Sequence, residues 1–276
     1  MPGETLDDAV AAAKALRERG LTAILTYLGE NVSDPVEARA VAEHYLEVVA
    51  RSRAVVPDAE ISVKLTQLGL DLGTELACDN LRRIAAQAGA TGTRVYVDME
   101  GTPYTDRTLE AFRHLRPTHK TLGICLQSYL HRTPSDLDSL VPLGPAIRLV
   151  KGAYREPPDL AFPSKHDVDE AFFALATRCL GAEARRAGVF LTVATHDSRL
   201  IRRISAWAEA AGLPKTAYQI AMLYGIRTEE QERLARDGYR VRVLISYGDS
   251  WFPWYMRRLA ERPANLLFVL RNMMPG

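Results

Sequence analysis

Arg257 and Arg258 stand side by side just after the aromatic run Trp251-Phe-Pro-Trp-Tyr255. A guanidinium offers a planar donor fork that meets a carboxylate bidentately, which a lysine cannot do. Glu261 lies four residues past Arg257 and would hold it by an i,i+4 pair if the segment is a helix. The aromatics would add an apolar wall. Together these residues suit a small molecule with a carboxylate and a greasy body. An ordinary amphipathic surface helix also has this pattern, so more residues are needed to decide.

More polar groups sit at the ends of apolar runs. Lys64 and Gln67 follow Ser62-Val, and Asp98 and Glu100 follow Tyr96-Val. Gln127 follows Cys125-Leu, and Arg148, Lys151 and Tyr154 flank Leu149-Val. Thr195, His196 and Asp197 end another run, Gln219 opens one, and Ser246-Tyr-Gly248 ends the last. A charged side chain inside a strand is costly to bury without a partner. One such residue would pass as a structural ion pair. Charged or amide groups at one strand end after another point to a site at a shared rim. The cations Arg148, Lys151, Arg257 and Arg258 suit an anion there, with Lys64 and Asp98 as a pair. No metal centre is expected, because the six histidines do not cluster at ligand spacing. No G-x-S-x-G nucleophile turn occurs.

These groups need a frame. Short β-branched runs at 21–27, 60–65, 93–99, 121–126, 146–150, 189–194, 218–222 and 242–246 read as strands. Helical periodicity fills 35–51, 75–88, 105–113, 135–140, 168–187, 198–211, 229–237 and 251–262 between and after them. Caps are expected at Ser33-Asp34, Thr133 and Asp197, with a capping box from Thr228 to Gln231. Eight strand–helix beats of about 30 residues predict an α/β fold, a single TIM-like (β/α)₈ barrel over 1–276. Residues 1–19 would add an N-terminal helix covering the barrel's end. A doubly wound sheet competes, but no G-x-G-x-x-G follows the first strand.

A chain of 276 residues suits one such barrel, and 47% hydrophobic with 25% charged residues supplies one large core. The net charge of +1 gives no field for nucleic acid. Cys78, Cys125 and Cys179 are far apart and odd in number, as in a reducing compartment. The acidic start lacks a signal peptide's basic and apolar regions, and no run approaches the ~20 apolar residues of a span. A cytoplasmic protein is expected.

At this point the segments resemble the proline dehydrogenase family. The resemblance rests on Ser62-Val-Lys-Leu-Thr-Gln-Leu-Gly69, Val97-Asp-Met-Glu100, Arg148-Leu-Val-Lys-Gly-Ala-Tyr154, Ala194-Thr-His-Asp197, Met222-Leu-Tyr-Gly225 and Arg257-Arg-Leu-Ala-Glu-Arg-Pro-Ala-Asn265. It runs from about Leu21 to Phe268 and looks like the short, monofunctional bacterial type. It implies FAD, a distorted barrel, and oxidation of proline to pyrroline-5-carboxylate, with electrons passed to a membrane quinone. The arginines and aromatics of the last helix would suit contact with the inner membrane surface, though core packing explains Trp251 and Trp254 as well. By the resemblance, Arg257, Arg258 and Lys64 bind the substrate carboxylate, with Glu261 positioning an arginine. Asp98 polarises or gates the site, Tyr154 walls the substrate, and Arg148 sits by the flavin's reactive edge. Gln127, Lys151, Gly152, Ala153, Thr195, His196 and Gln219 are the expected cofactor contacts.

The chain departs from the family pattern in two strands. Leu244 stands where a tyrosine packs on the substrate ring, which opens room for hydroxyproline or an N-alkylproline. Gln219 and Ala221 stand for a glutamate and a glutamine. Two rivals therefore stay open. One is a Schiff-base lyase using Lys64 or Lys151, with Asp98 and His196 moving protons. The other is a barrel that binds flavin or an amino acid without turnover.

Overall fold

The computed structural model describes residues 1–251. Eight parallel strands close into a barrel in chain order. They are β1 (Thr22–Tyr27), β2 (Glu60–Val63), β3 (Val95–Val97), β4 (Leu122–Gln127), β5 (Ala146–Val150), β6 (Phe190–Ala194), β7 (Tyr218–Leu223) and β8 (Arg240–Tyr247). Closure is made by β1 against β8, with Ile24 level with Leu244 and Thr26 with Ser246. On the other side of β1, Ile24 is level with Glu60. Side chains alternate across a strand, so Glu60, Ser62 and Leu244 share the inner surface with Ile24.

The described helices are α1 (Leu6–Glu18), α2 (Pro35–Val55), α3 (Thr74–Thr91), α4 (Thr102–Leu115), α5 (Thr133–Leu140), α6 (Lys165–Leu180), α7 (Ala182–Ala187), α8 (Ser198–Ala210) and α9 (Thr228–Arg236). The helices bury an apolar stripe against the outer strand faces. In α2 this is Ala38, Val41, Ala42, Tyr45, Val48 and Val49, at helical spacing. Asp34 caps α2 by accepting from Val36 N at 2.8 Å, ahead of Pro35. Asp197 caps α8 by accepting from Arg199 N and Leu200 N at 3.1 and 3.3 Å.

Four expectations need correction. Helix α1 does not cover the end of the barrel. It lies along the outer faces of β1 and β8. Asp7 pairs with Arg51 of α2 on one flank, and Arg19 pairs with Glu232 of α9 on the other. Its buried face of Leu6, Ala9, Val10, Ala13 and Leu16 matches the apolar seam between the first and last strands. The single helix expected over 168–187 is broken, because Gly181 takes φ −61 and ψ 156 between α6 and α7. Thr133 is inside α5, and its hydroxyl donates to Gln127 O at 2.5 Å instead of capping. Thr228 and Gln231 form no capping box, because the residue before the helix, Arg227, is left-handed (φ 53). Gln231 instead donates to Leu223 O and Ile226 O at 3.0 and 2.8 Å. The helix expected at 251–262 lies, after its first residue, outside the described residues.

The barrel interior is polar as well as apolar. At its N-terminal end, Glu60 accepts from Arg94 at 2.8 Å and from Gln219 at 2.9 Å. Gln219 also donates to Thr192 at 2.9 Å and accepts from Arg242 at 3.1 Å. The Thr192 and Tyr96 hydroxyls meet at 2.8 Å. The ring of Tyr96 is fully buried and uses the space left by Gly123. A Cβ there would stand 2.8 Å from the ring and 2.9 Å from Ala146 O. Gly123→Ala should therefore overpack the interior and cost about 1–3 kcal/mol of unfolding free energy. Denaturant titration would measure this, and an unchanged midpoint would refute it.

Candidate active site

The C-terminal ends of the strands gather the expected charged residues at one mouth. Lys64 and Asp98 lie one residue past β2 and β3, and Arg148 is inside β5. Arg148 is only 5% exposed. It donates to Ser62 Oγ at 2.8 Å and forms an ion pair with Asp98. Ser62 Oγ also donates to Asp98, at 2.8 Å. The Arg148 guanidinium lies 5.1 Å from the centre of the Tyr96 ring, within cation–π range. Burial pushes the Arg148 pKa down to about 10, which leaves it cationic at neutral pH. Asp98 thus pairs with Arg148, where the sequence set it against Lys64. The buried Lys64 faces Glu30 at 3.8 Å. Close by, Glu100 accepts from Thr66 N and Thr66 Oγ1 at 3.1 and 2.6 Å.

The other side of the mouth carries a ring of four charges. Lys151 reaches Asp169 at 2.5 Å and Asp197 at 3.0 Å. Lys165 pairs with the same two aspartates. Burial works against ionisation of Asp197, but hydrogen bonds from Lys151 and Leu200 N–H hold its carboxyl well below the usual carboxylate range. Gln127, at the end of β4, bridges two loops: it donates to Glu100 O at 3.0 Å and accepts from Ala153 N at 3.3 Å. Gly152 has φ +132, and a Cβ there would lie 2.3 Å from the Tyr129 ring, so only glycine fits. Thr195 is buried, and its hydroxyl accepts from Asp197 N at 3.2 Å.

His196 Nε2 accepts from Leu223 N at 3.2 Å, which requires that this nitrogen carry no proton. The proton of the neutral ring is then on Nδ1, which is buried without a hydrogen-bond partner among the described residues. Arg148 Nη1 is likewise buried without one. Two buried donors left open at one mouth fit a cofactor rich in acceptors, such as a flavin. Gln219 is the exception among the expected cofactor contacts. Its amide is spent on Glu60, Thr192 and Arg242 toward the other end of the barrel. Leu244 is half-buried on the inner surface beside Ile24. Arg257, Arg258 and Glu261 lie outside the described residues.

The strand-end pattern left out Glu30, Asp169 and Lys165, and it gave Ser62 no role. Glu30 follows β1 just as the named residues follow their strands. Ser62 alternates with Glu60 and Lys64 on the inner face. Asp169 and Lys165 are helical residues, one turn apart, and nothing at a strand end signals them. Among the described residues, no group of three or more His, Cys, Asp or Glu is placed to hold a metal ion. No helix among them is long and apolar enough to cross a membrane.

The fold, with these charged residues gathered at one mouth, is that of the barrel enzymes, a class whose chemistry sits at the C-terminal ends of the strands. The family model described as proline dehydrogenase matches residues 9–271. Proline dehydrogenase 1 of Bacillus subtilis (strain 168) is 39% identical over 272 residues, covering 99% of this chain and 88% of that protein. Proline dehydrogenase of Deinococcus radiodurans is 38% identical over 279 residues, with the same coverage of 99% and 88%. Among solved structures, proline utilization A from Bdellovibrio bacteriovorus, inactivated by N-propargylglycine, superposes with a TM-score of 0.82 at 26% identity. That match covers 90% of this chain and 30% of the larger one. The chain belongs to the proline dehydrogenase family. It is an oxidoreductase of proline catabolism, and the family implies a flavin.

Burial, and then the nearby Arg227 cation, lower the His196 pKa from 6.5 to about 4. The unfolded chain takes up this proton as pH falls below 6.5, while the folded protein resists until about 4. His196 therefore contributes stability above pH 6.5 that is lost as pH falls through that window. NMR titration of the imidazole should give a midpoint near 4. A midpoint at the ordinary value would refute the assigned tautomer and burial.

Proposed function

We propose that the chain holds FAD at the C-terminal mouth and uses it to oxidise L-proline to pyrroline-5-carboxylate, passing electrons on to a quinone. The observation that carries this reading is the buried Arg148, held by Asp98 and Ser62 with its Nη1 group open among the described residues. A fixed, desolvated cation of this kind stabilises negative charge developing on a bound ring more strongly than a solvated one would. When bound, the flavin supplies the hydride acceptor, and the protein orients the donor carbon.

The residues divide by the chemistry each offers. His196 offers an Nδ1–H donor, and Gln127 holds the Ala153 loop in place. Gly152, Ala153 and Thr195 give a close backbone approach for the dinucleotide. Lys151 would meet its phosphates, exchanging part of its pairing with Asp169 and Asp197. Lys64 supplies a cation for the substrate carboxylate, joined in sequence terms by Arg257 and Arg258, with Glu261 as their counter-ion. Asp98 keeps Arg148 in register, and Tyr154 walls the ring.

Purified protein should be yellow and should bleach when L-proline is added without oxygen. A flavin that stays oxidised would remove the dehydrogenase reading, and borohydride trapping of a lysine adduct would replace it with the lyase. Vesicles containing a quinone should reoxidise the reduced protein and carry it into the pellet. Reoxidation by soluble acceptors alone would remove the quinone and the membrane contact.

Leu244 is the selectivity residue of this reading, because it leaves the inner wall apolar but short. Leu244→Tyr should shift kcat/KM toward proline and away from N-methylproline by about tenfold, the order of one pocket contact. An unchanged ranking of proline, hydroxyproline and N-methylproline would remove the role.

A further inference from the structure

The connection from β5 to α6 carries Tyr154 and lies against the neighbouring connections of the mouth. It is held along most of its length. Tyr129 N donates to Lys151 O at 2.9 Å, His131 N to Leu160 O at 3.0 Å, and Phe162 N to Tyr129 O at 2.8 Å. Between these ties the Glu156 carboxylate accepts from Thr102 N at 2.8 Å and from Thr102 Oγ1 at 2.6 Å. Thr102 is the first residue of α4, so Glu156 satisfies an open N–H of a helix 54 positions away in sequence.

A local cap would serve the helix equally well, as at α1, α2, α6 and α8. Here the capping position is Gly101, with no side chain to offer. A Cβ at Gly101 would stand 3.6 Å from Glu156 Oε1 and 3.8 Å from the Tyr154 ring. A methyl group would just fit between them. The turn before α4 is therefore bare where Tyr154 packs, and its cap comes from the loop that bears Tyr154. The same turn begins at Asp98, and Gln127 ties its Glu100 carbonyl to Ala153. The two connections that carry Asp98 and Tyr154 are thus joined at both ends of a short span.

We propose that Glu156 is a positioning residue, which sets Tyr154 against the Asp98 turn by capping α4 from across the mouth. The role in substrate binding rests on the reading of the mouth as the flavin and amino-acid site. The latch itself does not.

The test uses the holoenzyme with Glu156→Ala, Glu156→Gln and Thr102→Val, singly and combined. Glu156→Ala should raise KM for proline by about tenfold, the order of a charged hydrogen bond lost, with kcat changed much less. Glu156→Gln keeps an acceptor and should recover part of that loss. Thr102→Val removes one donor and should add nothing once Glu156 is alanine. Amide hydrogen exchange over 152–161 should speed up in Glu156→Ala while β5 stays protected. A cap that served α4 alone would speed exchange at 102–105 and leave both KM and 152–161 as in the wild type. That result would overturn the proposal. If Glu156→Ala does not fold, Thr102→Val carries the same test. Unchanged exchange at 152–161 refutes the latch whatever the substrate. If proline fails to bleach the wild type while that exchange still rises, the reading of the substrate fails and the latch stands.

Discussion

A guanidinium cannot sit inside a closed β-barrel unless something answers its charge. Removing an ion from water costs several kcal/mol even after the protein relaxes. Arg148 is in that position, and the interior around it is arranged to answer it. Asp98, just past β3, and Ser62 of β2 bind it, and its guanidinium lies 5.1 Å from the centre of the Tyr96 ring. The Tyr96 hydroxyl is held in turn by Thr192, Thr192 by Gln219, and Gln219 by Glu60. Residues at five strands thus share one column from the mouth to the opposite end, hydrogen-bonded except at the cation–π contact of Arg148 with Tyr96. Gly123 belongs to it too, since the Tyr96 ring fits only where β4 has no side chain.

The rest of the mouth follows the same rule of matched charge. Lys64 faces Glu30, and the two lysines at 151 and 165 share the two aspartates at 169 and 197. Among the described residues the mouth therefore presents balanced sets of charges, not a bare cationic surface. An anionic guest gains only the difference between its own contacts and those it displaces, so fit and geometry count for more than total charge. Arg148 Nη1 and His196 Nδ1 differ, because their donors face no competitor among the described residues. Contacts made to them are gained without breaking others.

Much of this was legible in the sequence because strand periodicity dictates which end of a strand is polar and which side chains face inward. That was enough to bring Lys64, Asp98 and Arg148 to one mouth. It was not enough to pair them. Which side chains meet across a barrel depends on strand tilt and stagger, and those are collective properties of all eight strands. Hence Asp98 was matched with the wrong cation, and Gln219 was expected at a mouth from which its amide points away. The caps failed for a local reason. A Thr-to-Gln spacing says nothing about a left-handed Arg227, and no pattern near α4 reveals that its cap comes from Glu156. The place of α1 was missed because an amphipathic helix reports only that one face is buried, never against what.

Helix α1 lies on the seam where β1 meets β8, the contact that joins the most distant parts of the barrel. On a ribosome, that helix and β1 are made more than 200 residues before their partner strand β8. Until then Leu6, Val10, Leu16 and the outer face of β1 have no finished surface to cover them. The nascent chain must carry this sticky edge until β8 is made, and closure is a late event that depends on a contact between residues about 220 positions apart.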